Sequence, residues 1–227
     1  MYIDGDGMPY LGKAIATDPT PRQSLALALL AQDQEPALYL GRPCYHGEAR
    51  VAPCPSELWT GARYGETVVS SMAAAVERLV SEKGARRVTF VGHSGGGTLA
   101  MLIAPRIAET GVVVTIGANL DIAAWARHAR QDLPESLDPA ALPPLHARIR
   151  QRHYAGDQDQ MVPPAITAAG LQGASATFTV IDGFDHVCCW ATIWPAILAE
   201  LDAGGDGGQP PSPEPMPPQA RIPSALR

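Results

Sequence analysis

The residues Gly92-His93-Ser94-Gly95-Gly96 carry the spacing Gly-x-Ser-x-Gly, and Gly97 extends the glycine run. Before them lies a β-branched and aromatic stretch, Val88-Thr89-Phe90-Val91, and after them Leu99, Leu102 and Ile103 recur at helical spacing. A serine on a sharp turn between a strand and a helix can act as a nucleophile. Backbone geometry at such a turn is strained, and side chains two positions before and after would collide, so glycine is needed at 92 and 96. The helix that follows aims its N-terminus at the reacting oxygen, where its dipole and free N–H groups favour negative charge. The N–H of Gly95 is then one donor to an oxyanion. The competing reading is a glycine-rich loop that cradles a phosphate. No Lys follows Gly97, which removes the P-loop pattern, and Gly95-x-Gly97 meets Ala100 where a dinucleotide fingerprint has its third glycine. Alanine is tolerated there, but the acidic residue expected at the next strand end, near Ile116, is missing.

Such a serine has to be positioned by alternating strands and helices. Buried-strand candidates are Ala37–Leu40, Arg87–Val91, Val112–Ile116, Arg152–Ala155 and Thr177–Ile181, with Met1–Ile3 as a remnant of another. Val68, Met72, Val76 and Leu79 predict a helix stopped at Gly84. Pro105 bends or ends the helix after the glycine run, and Ile193 to Leu201 forms a last amphipathic helix. The alternation implies an α/β fold, a mostly parallel sheet covered by helices on both faces. Residues 120–150, rich in proline and with a short helix around Ile122–Ala129, read as a small cap over the site. We therefore expect one domain over 1–202 and a disordered Pro/Gly-rich tail over 203–227.

Composition narrows the function classes. The chain has 227 residues, 46% hydrophobic content and a formal net charge of -6, enough for one sizeable core. No basic block or stripe suggests a nucleic-acid partner. No apolar run reaches the roughly 18–20 residues of a membrane span. The start has no charged segment followed by an apolar one, so the chain as it stands reads as cytoplasmic. Of the four cysteines, Cys44 and Cys54 are ten positions apart, as a disulfide or as two free thiols, and a disulfide implies an oxidising compartment. No zinc-type spacing occurs, so no metal is expected. The pair Cys188-Cys189 is expected to pack beneath His186, and the four tryptophans to serve core or cap packing.

Taken together with its flanking elements, the Ser94 turn resembles the nucleophile elbow of the α/β-hydrolase family of serine esterases and lipases. That family places its acid and then its histidine after later strands. Gly156-Asp157-Gln158-Asp159-Gln160-Met161-Val162-Pro163 is similar to the family's acid turn, which implies Asp159 as catalytic acid. Asp121 is a rival, since some members carry the acid after the preceding strand. Gly183-Phe184-Asp185-His186 resembles the family's histidine loop and implies His186 as general base. Tyr2-Ile3-Asp4-Gly5-Asp6-Gly7 resembles its His-Gly-x-Gly loop, with Asp4 in place of His. That match makes the backbone N–H of Asp6 the second oxyanion donor; the alternative is a plain polar turn. In the family two strands normally precede this loop, so we expect a truncated N-terminal edge or a longer chain upstream. The run Tyr39–Tyr45 with Cys54 is similar to exported bacterial members, which would move the expected location to the periplasm or beyond.

The resemblance covers residues 1 to 202 and implies hydrolysis of a carboxylic ester or related acyl bond of a small-molecule substrate through an acyl-enzyme on Ser94, with no cofactor. Thioesterases, amidases and peptidases use the same triad. A non-catalytic binding protein on this fold and a phosphate binder at 92–97 are the other readings.

Overall fold

The computed structural model describes residues 1–51, 53–173 and 175–203. The elements run in chain order: β1 (Tyr2–Ile3), β2 (Tyr10–Leu11), β3 (Ala14–Ile15), α1 (Leu25–Leu30), α2 (Glu66–Lys83), β4 (Val88–His93), α3 (Gly95–Ile103), β5 (Thr110–Ile116), α4 (Ile122–Ala129), β6 (Arg150–Gly156), α5 (Pro164–Ala169), β7 (Ala176–Ile181) and α6 (Trp190–Asp202). Strands β1, β4, β5, β6 and β7 form one parallel sheet in the order β1-β4-β5-β6-β7. Such a sheet needs crossovers, and helices supply them.

The strand sequences feed both faces at a period of two. In β5, Val112, Val114 and Ile116 face one core half and Val113 the other. In β1, Tyr2 and Ile3 divide in the same way. One face is covered by α2 and α3, with Val68, Met72, Val76, Leu99 and Leu102 at its centre. The other is covered by α1 and α6 through Leu25, Leu29, Trp190, Trp194 and Ile197. All nine residues of α3 are buried, because that helix is enclosed between the sheet and its neighbours. Helix α2 ends as its glycine dictates: Gly84 takes a left-handed conformation (φ 62°) and closes the last turn with bonds to Val80 and Ser81.

Two expectations are corrected. The stretch Ala37–Leu40 is not a regular strand; it makes a single parallel bridge between Tyr39 and Tyr2, closed by Tyr2 N–H to Leu38 O and Leu40 N–H to Tyr2 O, both 2.8 Å. This segment flanks the outer side of β1. Cys188 is exposed rather than packed beneath His186, and it is joined to Cys189 by a disulfide; Cys44 and Cys54 form a second. The tail expected from 203 onward lies, apart from Ala203, outside the described residues. No helix among the described residues is long and apolar enough to cross a membrane.

Candidate active site

Strand β4 runs straight into the Ser94 turn. Ser94 holds φ 52° and ψ -127°, a conformation that costs a non-glycine residue about 1–3 kcal/mol. Neighbouring backbone fixes it: Ser94 N–H donates to Ile116 O, and Gly97 N–H to Ser94 O, both at 2.9 Å. The flanking glycines are required by close approach. A Cβ on Gly92 would enter the Gly96 backbone, and one on Gly96 would enter the carbonyls of Ile3 and Asp4. Ser94 thus stands at the C-terminal edge of the sheet, at the N-terminus of the buried α3. Its Oγ makes no hydrogen bond among the described residues.

Asp159 follows β6 and His186 follows β7. The His186 Nδ1–H donates to Asp159 Oδ2 at 2.7 Å. The other carboxylate oxygen accepts from the N–H groups of Met161 (2.9 Å) and Val162 (2.8 Å), so three donors hold this carboxylate in place. Both residues are buried. His186 Nε2 makes no hydrogen bond among the described residues. His93, beside Ser94, donates from Nε2 to the carbonyl of His186 at 2.9 Å, and the two rings lie 4.8 Å apart. The histidine loop is therefore tied to the serine turn through its backbone.

The loop after β1 closes over the same place. A Cβ added to Gly5 would lie 3.1 Å from Ser94 Cβ, a tight contact that one of the two would have to yield by a few tenths of an ångström, so the loop packs directly on the serine. Asp4 is buried, with Oδ1 accepting from Gly5 N–H and lying 3.9 Å from His93 Nδ1. Burial works against its charge, but the neighbouring His93 and Ser24 side chains and the Gly5 N–H together hold the carboxyl below the usual carboxylate range. Asp6 is bound by Arg42 Nη1 (2.6 Å), Arg63 Nη1 (3.1 Å) and the Tyr64 hydroxyl. Burial would raise its carboxyl; the Arg63 and Arg42 guanidiniums outweigh that and hold it at about 2. Neither Asp6 nor Gly95 spends its backbone N–H on an acceptor among the described residues.

A family model for class 3 lipases matches residues 35–126. A puromycin hydrolase mutant complexed with PGG superposes over 90% of this chain with a TM-score of 0.59 at 16% identity. This is an α/β-hydrolase fold. The chain spans only 34% of that protein's length. Another puromycin hydrolase structure is matched over 70% of this chain and 28% of its own, with 19% identity and a TM-score of 0.50. The esterase domain of a Rhodothermus marinus protein is matched over 62% of this chain and 69% of its own, with 23% identity and a TM-score of 0.48. No curated protein sequence matches the chain.

Within this hydrolase fold, the other sequence candidates fall into supporting roles. Asp121 caps α4, its carboxylate accepting from Ala124 N–H at 2.7 Å, and it is Asp159 that meets His186. Asp157 accepts from Gly183 N–H at 2.7 Å and holds the β7 turn. Helix α4, within the segment expected to form a cap, is docked on the acid turn. Trp125 Nε1 donates to Met161 O at 3.1 Å, and His128 Nε2 to Gln160 O at 2.9 Å. Sequence reasoning missed Gly117. It holds φ 52°, and a Cβ there would come within 3.0 Å of Asp159 Oδ2 and 3.2 Å of His186 Nδ1. It also missed Arg42, Arg63 and Tyr64 around Asp6. No group of three or more potential metal ligands occurs among the described residues.

Proposed function

We propose that this chain is a serine hydrolase acting on a carboxylic ester or related acyl bond of a small molecule. The observation that carries the reading is the 2.7 Å contact of His186 Nδ1 with a fully held Asp159, which leaves Nε2 as the nitrogen available to a proton, beside the strained Ser94 turn. Ser94 Oγ attacks the carbonyl carbon as its proton passes to His186 Nε2. Charge on the carbonyl oxygen is met by the N–H groups of Gly95 and Asp6, neither of which has another acceptor among the described residues. His186 then gives its proton to the leaving group, whose bond to the acyl carbon breaks. Water repeats the sequence on the acyl-Ser94 ester. Asp159 holds the imidazole tautomer and stabilises its charged form. The open Ser94 Oγ is no objection, because catalytic hydrogen bonds often tighten only around substrate.

The class 3 lipase match across residues 35–126 supports an ester as the acyl bond. A panel of p-nitrophenyl esters against the matching p-nitroanilides tests the bond class. Hydrolysis of the esters, abolished in Ser94→Ala, is expected; turnover that survives in Ser94→Ala would remove the serine mechanism.

A further inference from the structure

We infer that Arg42, Arg63 and Tyr64 are positioning residues whose task is to pin Asp6, and with it the second oxyanion donor, against Ser94. This rests on the hydrolase reading above. Four side chains from two separate segments converge on this one residue. Arg42 and Arg63 each reach a different carboxylate oxygen, and the Tyr64 hydroxyl donates to Oδ2. Tyr45 donates from its hydroxyl to the Asp6 carbonyl at 3.0 Å.

The anchors are themselves anchored. Arg42 Nη2 donates to Arg63 O (2.8 Å), Arg63 Nη2 to Gln131 Oε1 (2.8 Å) and Asn119 Nδ2 to the Tyr64 hydroxyl (3.0 Å). The guanidiniums are nearly sealed from water, at 3% and 1% side-chain exposure, while the Asp6 side chain keeps 12%. Surface pairs hold little, but a forked, buried arrangement fixes geometry.

The cluster also reaches the first donor. A Cβ on Gly95 would run into Asp6 Oδ1 and the Tyr64 hydroxyl, so the carboxylate rests directly on the residue that supplies the other N–H. Both donors are thereby set by one group of side chains. The two guanidiniums against one carboxylate leave a net charge of one positive unit. This permits a separation of causes. If charge near the oxyanion were what mattered, Asp6→Asn would leave two positive units there and sustain or raise the rate. If position is what matters, Asp6→Asn lowers it.

The test is steady-state kinetics on p-nitrophenyl acetate, with fluorophosphonate inactivation rates, for wild type, Asp6→Asn, Tyr64→Phe, Arg42→Met and Arg42→Lys. Arg106→Gln, which breaks the surface pair with Glu66, is the control. Asp6→Asn and Tyr64→Phe are expected to lower kcat by about 10- to 100-fold, the cost of a misplaced reacting group, with KM little changed. Inactivation by fluorophosphonate should slow by the same factor, Arg42→Lys should recover part of what Arg42→Met loses, and Arg106→Gln should match wild type. Tyr64→Phe removes a single oxygen and keeps the ring, so it carries the test should a charge variant fail to fold. Folded variants with wild-type kcat would overturn the inference while leaving the hydrolase reading intact. A folded wild type that neither turns over nor takes the probe would remove both.

Discussion

At the scale of single residues, two buried groups make separable predictions. Asp159→Asn keeps the shape of the contact but favours the wrong imidazole tautomer, so kcat should fall about 10⁴-fold with the fold intact, measured by ester hydrolysis. His153 concerns stability instead. It is buried in β6, with Thr115 Oγ1 donating to Nδ1 at 2.8 Å, and burial pushes it down to about 4. The unfolded chain takes up this proton below about 6.5, while the native chain refuses it until about 4. Stability should therefore be full above pH 6.5 and decline by about 3 kcal/mol between there and pH 4. Urea midpoints should follow that slope and flatten in His153→Gln. Asp6, held at about 2, loses its contribution in a separate window, as pH falls from about 4 to 2. Ser94 was legible because its motif is local. Asp159 and His186 could be nominated because each follows its own strand in the order the resemblance implies, and the structure brings the two into contact. Arg42 and Arg63 were not, since they meet Asp6 across 36 and 57 positions and no periodicity encodes such a contact.

At the scale of elements, the turn between β4 and α3 is the one most constrained by packing. Gly92→Ala would push a methyl into the Gly96 backbone, and such overpacking costs about 1–3 kcal/mol or more. The loss should show in both thermal midpoint and kcat, since strand and helix would part at the serine. Gly84→Ala, at an exposed left-handed helix end, should cost only about 1 kcal/mol and leave kcat alone. Strands β4 to β6 and helices α2, α3 and α6 were readable because each carries buried apolar residues at its own period, whereas β7, with only Ile181 buried, was readable from its β-branched and aromatic residues alone. The hairpin of β2 and β3 was missed because all four of its strand residues are exposed and show no alternation. Helix α5 was missed because Pro163 and Pro164 read as a turn, although Pro164 occupies the first helical position, where proline is tolerated.

Across the whole molecule, the sheet separates two core halves that the sequence feeds alternately. Trp194 is fully buried on the α1–α6 side, against Tyr2 at a ring separation of 6.0 Å. Trp194→Ala should cost about 3–5 kcal/mol, read from urea unfolding, and loosen β1 together with the loop that carries Asp6. That loop, the serine turn, the acid turn and the histidine loop all gather at the C-terminal ends of the parallel strands, where open α/β sheets place their ligands.

Labelling with a fluorophosphonate, followed by mass mapping of the adduct, is the most direct test of that assembly. Wild type should carry the adduct on Ser94. Ser94→Ala should carry none, and His186→Ala should label slower by orders of magnitude. A folded wild type that takes no label, or takes it elsewhere than Ser94, would contradict the assignment of nucleophile and base.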